Sequence, residues 1–298
     1  MQLLPIVALA LTIFSVPQFA VAATVSLAAG TGAMSWDTTT SVTSPLQNTA
    51  VTHPLFPGNR HTHEGWFLYV QEFGILTELT NFSSVSDGVS QDVISATSIV
   101  LGETFNLELS YGLSAVGPDG LPQLDWSGSI SRMSPASPLQ LLTVRLFNVF
   151  DYDIGTAPGS DSAIAMQTTG PDTTVIEIDG LDGISGGRGV YGLTGYTADT
   201  RANVLDQVIL NNVLNNSAAP GNYDVAGAFQ WTYVLCKDPS LPECQGTGNG
   251  SGQMGGFGNF GAVPEPSTAA LVVLGLGGMA RRRRPTPQRV RWSQDRAV

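Results

Sequence analysis

Lysine is nearly missing from this 298-residue chain, with Lys237 the only one. From Ala23 to Ala262 six basic residues face 22 acidic ones, a net charge of −16. A body so poor in cations lacks the electrostatic footprint that binds phosphate backbones, which excludes nucleic acid as a partner. Histidine is confined to His53, His61 and His63, so any chemistry that needs a His late in the chain is excluded. Cysteine occurs twice, and Cys236 and Cys244 flank only Lys-Asp-Pro-Ser-Leu-Pro-Glu. Two thiols without a neighbouring His make a poor metal site, and the spacing is not that of a Cys-x-x-Cys redox pair. In an oxidising compartment they are expected to close a small disulfide loop. The two long apolar runs sit at the ends of the chain, and both fall short of the roughly 20 residues that span a bilayer.

The first apolar run, Met1 to Val16, leads through Pro17 to the small-residue site Ala20-Val21-Ala22. This predicts a secretory signal peptide over residues 1–22, cut after Ala22 and handled by the secretory translocon. It has no Lys or Arg in its first residues, so its only basic group there is the terminal amine.

Residues 23–245 predict an all-β body, a single β-sandwich of jelly-roll-like or related type with one short helix. Apolar residues alternate with polar ones in Phe105–Tyr111, Leu124–Ile130, Leu142–Val149 and Phe229–Leu235, the period of strands with one face in a core. Further strands are expected at Trp66–Val70, Ile75–Leu79, Val93–Val100 and Thr174–Ile178. In Arg201–Leu214 the residues Val204, Leu205, Val208, Ile209 and Val213 recur at helical spacing, and Asp199 or Thr200 can cap the start. The helix is expected over one end of the sandwich. Residues 246–262, rich in glycine and poor in bulky side chains, read as a flexible tether.

Candidate chemistry is sparse. On a regular strand His61 and His63 would project from one face and could share a metal. Asp151, Asp153 and Asp161 supply carboxylates around Gly155 that could hold Ca²⁺, although the EF-hand pattern fails at Gly155 and Ser162. Gly183-Ile-Ser185-Gly-Gly187 fits the Gly-x-Ser-x-Gly formula, but the following glycines oppose the helix that a nucleophile elbow needs, and no His comes later. No catalytic residue and no cofactor are therefore assigned, and a secreted hydrolase is the least favoured class. Trp66, Trp126 and Trp231 could offer an aromatic platform to a glycan, although strand alternation predicts that most of them are buried.

Near the C-terminus, Pro264-Glu265-Pro266 is followed by an apolar run from Ala269 to Ala280 and by Arg281, Arg282, Arg283 and Arg284. Arginines beside an apolar segment remain on the cytoplasmic side, which places the body across the membrane. A helix over Ser267–Ala280 has 14 residues and would cover only about two thirds of a 30 Å bilayer core. Such a segment retains the chain temporarily better than it anchors it. The layout of residues 263–284 resembles the PEP-CTERM sorting signal. That resemblance implies a short transmembrane segment, processing by an exosortase near Pro264-Glu265-Pro266, and delivery to the cell surface or extracellular matrix. Residues 285–298 continue beyond the usual end of such a signal and are read as a basic extension. The motifs His63-Glu-Gly-Trp-Phe-Leu-Tyr69, Phe147–Ile154 and Gly227-Ala-Phe-Gln-Trp231 also resemble stretches of some secreted PEP-CTERM proteins. This implies a β-rich surface domain, non-enzymatic and structural or adhesive, with extracellular polysaccharide as a candidate partner and glycan binding as the alternative role.

Overall fold

The computed structural model describes residues 24–29, 32–52, 60–114, 123–134, 138–153, 162–167, 173–179, 185–219, 224–238 and 251–259. The chain divides into two units, Met1–Gly261 and Ala262–Val298, and the second lies outside the described residues.

The first unit is an all-β sandwich. Its larger sheet has eight strands in the order β11 (Ser162–Gln167), β12 (Thr173–Asp179), β13 (Ser185–Tyr191), β17 (Ser251–Asn259), β9 (Gln123–Ser134), β8 (Glu103–Ser114), β7 (Gln91–Val100) and β6 (Ser83–Ser86). The facing sheet has six, in the order β15 (Ser217–Ala218), β14 (Gly195–Thr200), β16 (Val225–Cys236), β10 (Leu141–Asp153), β4 (Arg60–Val70) and β5 (Ile75–Leu79). A small sheet of β1 (Thr24–Ala29), β2 (Gly32–Asp37) and β3 (Thr49–Thr52) adds Val25, Leu27, Met34 and Trp36 to the same core. Among the described strands all pairs are antiparallel except β14 with β15.

The core between the two large sheets centres on three indoles. Trp66 and Trp231, on the six-stranded sheet, stack at 5.9 Å between ring centroids. Trp126, on the eight-stranded sheet, meets them edge-on at 5.4 and 5.6 Å. Edge-to-face contacts of this kind add about 0.5–1.5 kcal/mol per pair beyond the area they bury. All three rings are buried, so the platform considered for a glycan is instead the packing between the sheets.

The alternating runs in β8 and β9 behave as expected, with Phe105, Leu107, Leu109, Tyr111, Leu124, Trp126 and Ile130 inward. The run in β10 is different: Phe147 and Val149 on its other face are also buried, because a second layer covers them. That layer is the helix α1 (Arg201–Asp206), continued by a π turn over Gln207–Asn211. Thr200 caps the helix by accepting from the Asn203 backbone N–H. Val204 and Val208 pack with Val42, Phe67, Phe147 and Val149, so the helix lies on the outer face of the six-stranded sheet and not over an end of the sandwich.

The glycine-rich stretch overturns the tether expectation. Ser251–Asn259 pairs along its whole length with β9 and at its far end with β13, inside the larger sheet. Composition signals backbone freedom, but neighbours on both sides supply the hydrogen bonds that fix it. A Cβ on Gly252 would lie 2.3 Å from the Tyr233 ring, and the Tyr233 hydroxyl donates to the Gln253 carbonyl at 2.6 Å. Burial pushes the Tyr233 hydroxyl far above its ordinary pKa. The body therefore runs on through Asn259. Gly252→Ala is expected to overpack this contact by about 1–3 kcal/mol, a fall in Tm of roughly 2–12 °C for a domain of this size. Calorimetry checks it, and an unchanged Tm would return the segment to a tether.

Candidate functional site

The His-Thr-His-Glu stretch lies within β4, hydrogen-bonded to β10. Their register shifts at one point: Asp151 faces His63, but Tyr152 faces His61, leaving Thr62 as an extra residue in β4. An added residue of this kind is a β-bulge, and it reverses the alternation of side chains. His61 and His63 therefore point to opposite faces of the sheet, which corrects the expectation that they could share a metal.

On the inner face His61 joins Glu64. The Glu64 carboxylate is buried and bridges both sheets through three neighbours. Asn148 Nδ2 donates to Oε1 at 2.7 Å, and the Tyr111 hydroxyl donates to the same oxygen at 3.1 Å. His61 Nε2 lies 3.0 Å from Oε2. Tyr111 in turn accepts from Trp66 Nε1 at 3.1 Å, so the chain of bonds passes from the six-stranded sheet to the eight-stranded one and back. Asn48 fixes the Glu64 backbone by accepting from its N–H at 2.9 Å and donating to its carbonyl at 2.8 Å. The His61 ring packs edge-on against Tyr152 at 4.6 Å. A buried carboxylate is tolerated only when hydrogen bonds replace its water, and this one has three partners.

On the outer face His63 Nδ1 lies 3.2 Å from Asp151 Oδ2. Near them is Arg201, whose guanidinium donates to the carbonyls of Val42 and Ser44 and ties the 38–48 loop to the start of α1. Desolvation lowers the Arg201 pKa, opposed by the charges of Asp151 and Asp224. Desolvation, then repulsion from Asp151, raises the Asp224 carboxyl, with Arg201 and His63 opposing. A third buried pair stands apart: Arg132 Nε donates to Glu103 Oε2 at 2.7 Å, and its two NH groups donate to the Leu139 and Gln140 carbonyls.

These groups have the composition of acid–base machinery but the placement of struts. A general acid or base must come within about 3 Å of a substrate proton. His61, Glu64 and Asn148 are at or below 1% exposure and point into the indole core. The two cavities described lie elsewhere, one beside Gln91 and Asp125 and one beside Leu210 and Val213.

The remaining sequence candidates separate in the same way. Among the described residues no group of three or more His, Cys, Asp or Glu is arranged to hold a metal. Asp151 is committed to His63, while the side chain of Asp153 and all of Asp161 lie outside the described residues. Ser185 opens β13, so a strand and not a helix follows it, and the nucleophile-elbow formula is a coincidence of glycines. Cys236 is disulfide-bonded; Cys244, the other cysteine of the chain, lies outside the described residues. Ala22, Pro264, Glu265, Pro266 and Arg281 to Arg284 lie outside them as well. Among the described residues no helix is long and apolar enough to cross a membrane. Sequence reasoning passed over Asn148, Tyr111 and Asn48. The available signal was a polar Asn inside the apolar run Leu146-Phe-Asn-Val-Phe150, which on a doubly covered strand needs a buried partner.

Residues 262–284 match the PEP-CTERM protein-sorting motif. This defines the class: a protein carrying a C-terminal PEP-CTERM signal, which implies export, transient membrane anchoring and processing by an exosortase. No curated protein matches the sequence. The fold is similar to a bacterial glucoamylase solved with acarbose, with 9% identity and a TM-score of 0.48 over 83% of this chain and 32% of that one. This chain thus spans about a third of the glucoamylase's length. It is also similar to a galactose mutarotase related enzyme from Lactobacillus acidophilus, with 7% identity and a TM-score of 0.42 over 80% of this chain and 97% of that one.

Removing the Glu64 side chain would leave Asn148, His61 and the Tyr111 hydroxyl facing a void. Glu64→Ala is expected to cost about 3–5 kcal/mol, while the isosteric Glu64→Gln, which keeps one acceptor oxygen, costs less. Urea unfolding measures both. A loss below about 0.5 kcal/mol for the alanine variant, typical of a neutral surface site, would remove Glu64 from its bridging role.

Proposed function

We propose that this is an exported structural or adhesive protein of the cell envelope or extracellular polymer matrix, released from its membrane tail by an exosortase and working without catalysis. The observation that carries the reading is the sorting motif at residues 262–284. It accompanies an N-terminal stretch, residues 1–22, whose sequence reads as a signal peptide cut after Ala22. The arrangement of the tail gives each part a task. Arg281 to Arg284 would hold the cytoplasmic side, the short run to Ala280 would retain the chain briefly, and Pro264-Glu265-Pro266 offers the processing enzyme its recognition sequence. Cleavage there separates an acidic body from a basic tail.

The non-enzymatic part of the proposal is supported by the burial of the groups best suited to acid–base work. His61 and Glu64 are tied to the sandwich core, and His63 and Asp151 are buried against each other on the outer face of the sheet. A disulfide between Cys236 and Cys244 would close the end of β16 in the oxidising compartment this destination provides.

Intact mass analysis of the protein recovered from the surface of its host tests the processing. The expected mature chain begins after Ala22 and lacks Arg281 to Arg284. Recovery of a surface chain that still carries those four arginines contradicts the proposal.

A further inference from the structure

The outer face of the eight-stranded sheet is the one broad sandwich face that no described element covers, and a small cavity of about 190 Å³ opens on it. Its walls are Gln91 on β7, Ser110 on β8, and Asp125, Trp126 and Ser127 on β9, with Gly112 between them. The register explains the grouping: Gln91 faces Gly112, Gly112 faces Asp125, and Ser110 faces Ser127. The missing side chain at Gly112 leaves the depression.

Among the described residues nothing requires a glycine there. The Gly112 backbone is not in the left-handed region, and a Cβ built on it would meet only backbone oxygens of Asp125 and Ser90, both at the ordinary distance of 3.8 Å. The inward glycines are different, since a Cβ on Gly227 would lie 2.4 Å from Phe150 and one on Gly128 2.7 Å from Leu109. Gly in a strand interior costs about 0.5–1 kcal/mol relative to Ala, and where neither packing nor backbone conformation asks for it, it marks a place where something outside approaches the backbone closely.

We infer that this groove seats one sugar ring of a neutral polysaccharide laid across the sheet. The inference rests on the proposed role in an extracellular polymer matrix and names the surface that meets the polymer. Three observations select the occupant. The cavity is below the roughly 300 Å³ at which sites begin to enclose a drug-sized ligand, so it holds one unit of a longer molecule. Its walls mix donors and acceptors: the hydroxyls of Ser110 and Ser127 do both, the Gln91 amide donates to Ser110 at 3.0 Å, and the Asp125 carboxylate accepts, as it does from Gln123 at 2.6 Å. This is the pairing that a ring of hydroxyl groups offers in return. Among the described residues that line the groove the one charged group is an anion, on a body of net charge −16, which repels a polyanion and leaves a neutral chain as the match.

Affinity electrophoresis of the mature secreted protein tests this, through gels containing dextran, laminarin or galactomannan as neutral polymers and alginate as a polyanion. At least one neutral polymer is expected to retard the protein and alginate is not. Gly112→Val, which fills the groove, and Asp125→Asn, which removes its acceptor charge, are each expected to weaken that retardation by roughly two- to tenfold, the loss of one or two hydrogen bonds. Thermal unfolding of Asp125→Asn should match the wild type and that of Gly112→Val should be no lower, since the glycine is itself unfavourable in a strand; Gly112→Ala serves as the smaller filling if the valine variant unfolds early. Retardation by alginate alone, retardation by none of the neutral polymers, or variants that bind as the wild type does would each overturn the assignment. Because tail processing is read separately by mass, a correctly processed protein that binds no neutral polymer counts against this groove alone.

Discussion

The structure depends on one carboxylate placed where a carboxylate is costly. Glu64 sits between two sheets whose other contacts are aromatic and aliphatic, and it is tolerated because Asn148, Tyr111 and His61 each give it a polar contact. Those partners come from three different strands, so the network is complete only when β4, β10 and β8 are in register. Apolar packing of Trp66, Trp126 and Trp231 brings the sheets together but is non-directional, whereas the Glu64 hydrogen bonds are directional and are met only in this alignment. The β-bulge at Thr62 belongs to the same device, because without the extra residue His61 would turn away from Glu64.

The bulge also divides the six-stranded sheet into two chemical environments. Inside, His61 and Glu64 face the indole core. Outside, His63 and Asp151 face the layer formed by α1 and the 38–48 loop, which Arg201 ties together. One sandwich face is thereby covered by a helix, while the other, on β7, β8 and β9, is open to solvent and carries polar side chains such as Gln91, Ser110, Asp125 and Ser127 together with the exposed Ile99 and Met133. With one face covered and one open, the body could meet an extended partner on a single side, and the proposed cleavage would part its acidic residues from the basic tail.

The parts of this arrangement that are local in sequence were legible in it. Alternation in Phe105–Tyr111 and Leu124–Ile130 marked strands because each has one face in the core and one in water. Thr200 marked a helix start because its hydroxyl satisfies a backbone N–H that the helix cannot. The tail was legible because it is a linear signal, read by composition and order. What was not legible depends on contacts between distant segments. Glu64 and Asn148 are 84 residues apart, and Glu64 and Tyr111 are 47 apart, so no local pattern joins them. The bulge leaves no trace in His61-Thr-His63, where strict alternation gives the wrong face. The strand Ser251–Asn259 was hidden for a related reason: one of the glycines that read as freedom, Gly252, sits where the distant Tyr233 ring leaves no room for a Cβ.

The central claim is that the tail is a sorting address and that the folded body acts after leaving it. It is tested most directly by following the chain in otherwise identical host cells with and without a functional exosortase. Loss of the exosortase is expected to leave the unprocessed chain, tail included, in the membrane fraction, with the body missing from the cell surface and medium. A body released in the same form and amount from both strains would contradict it.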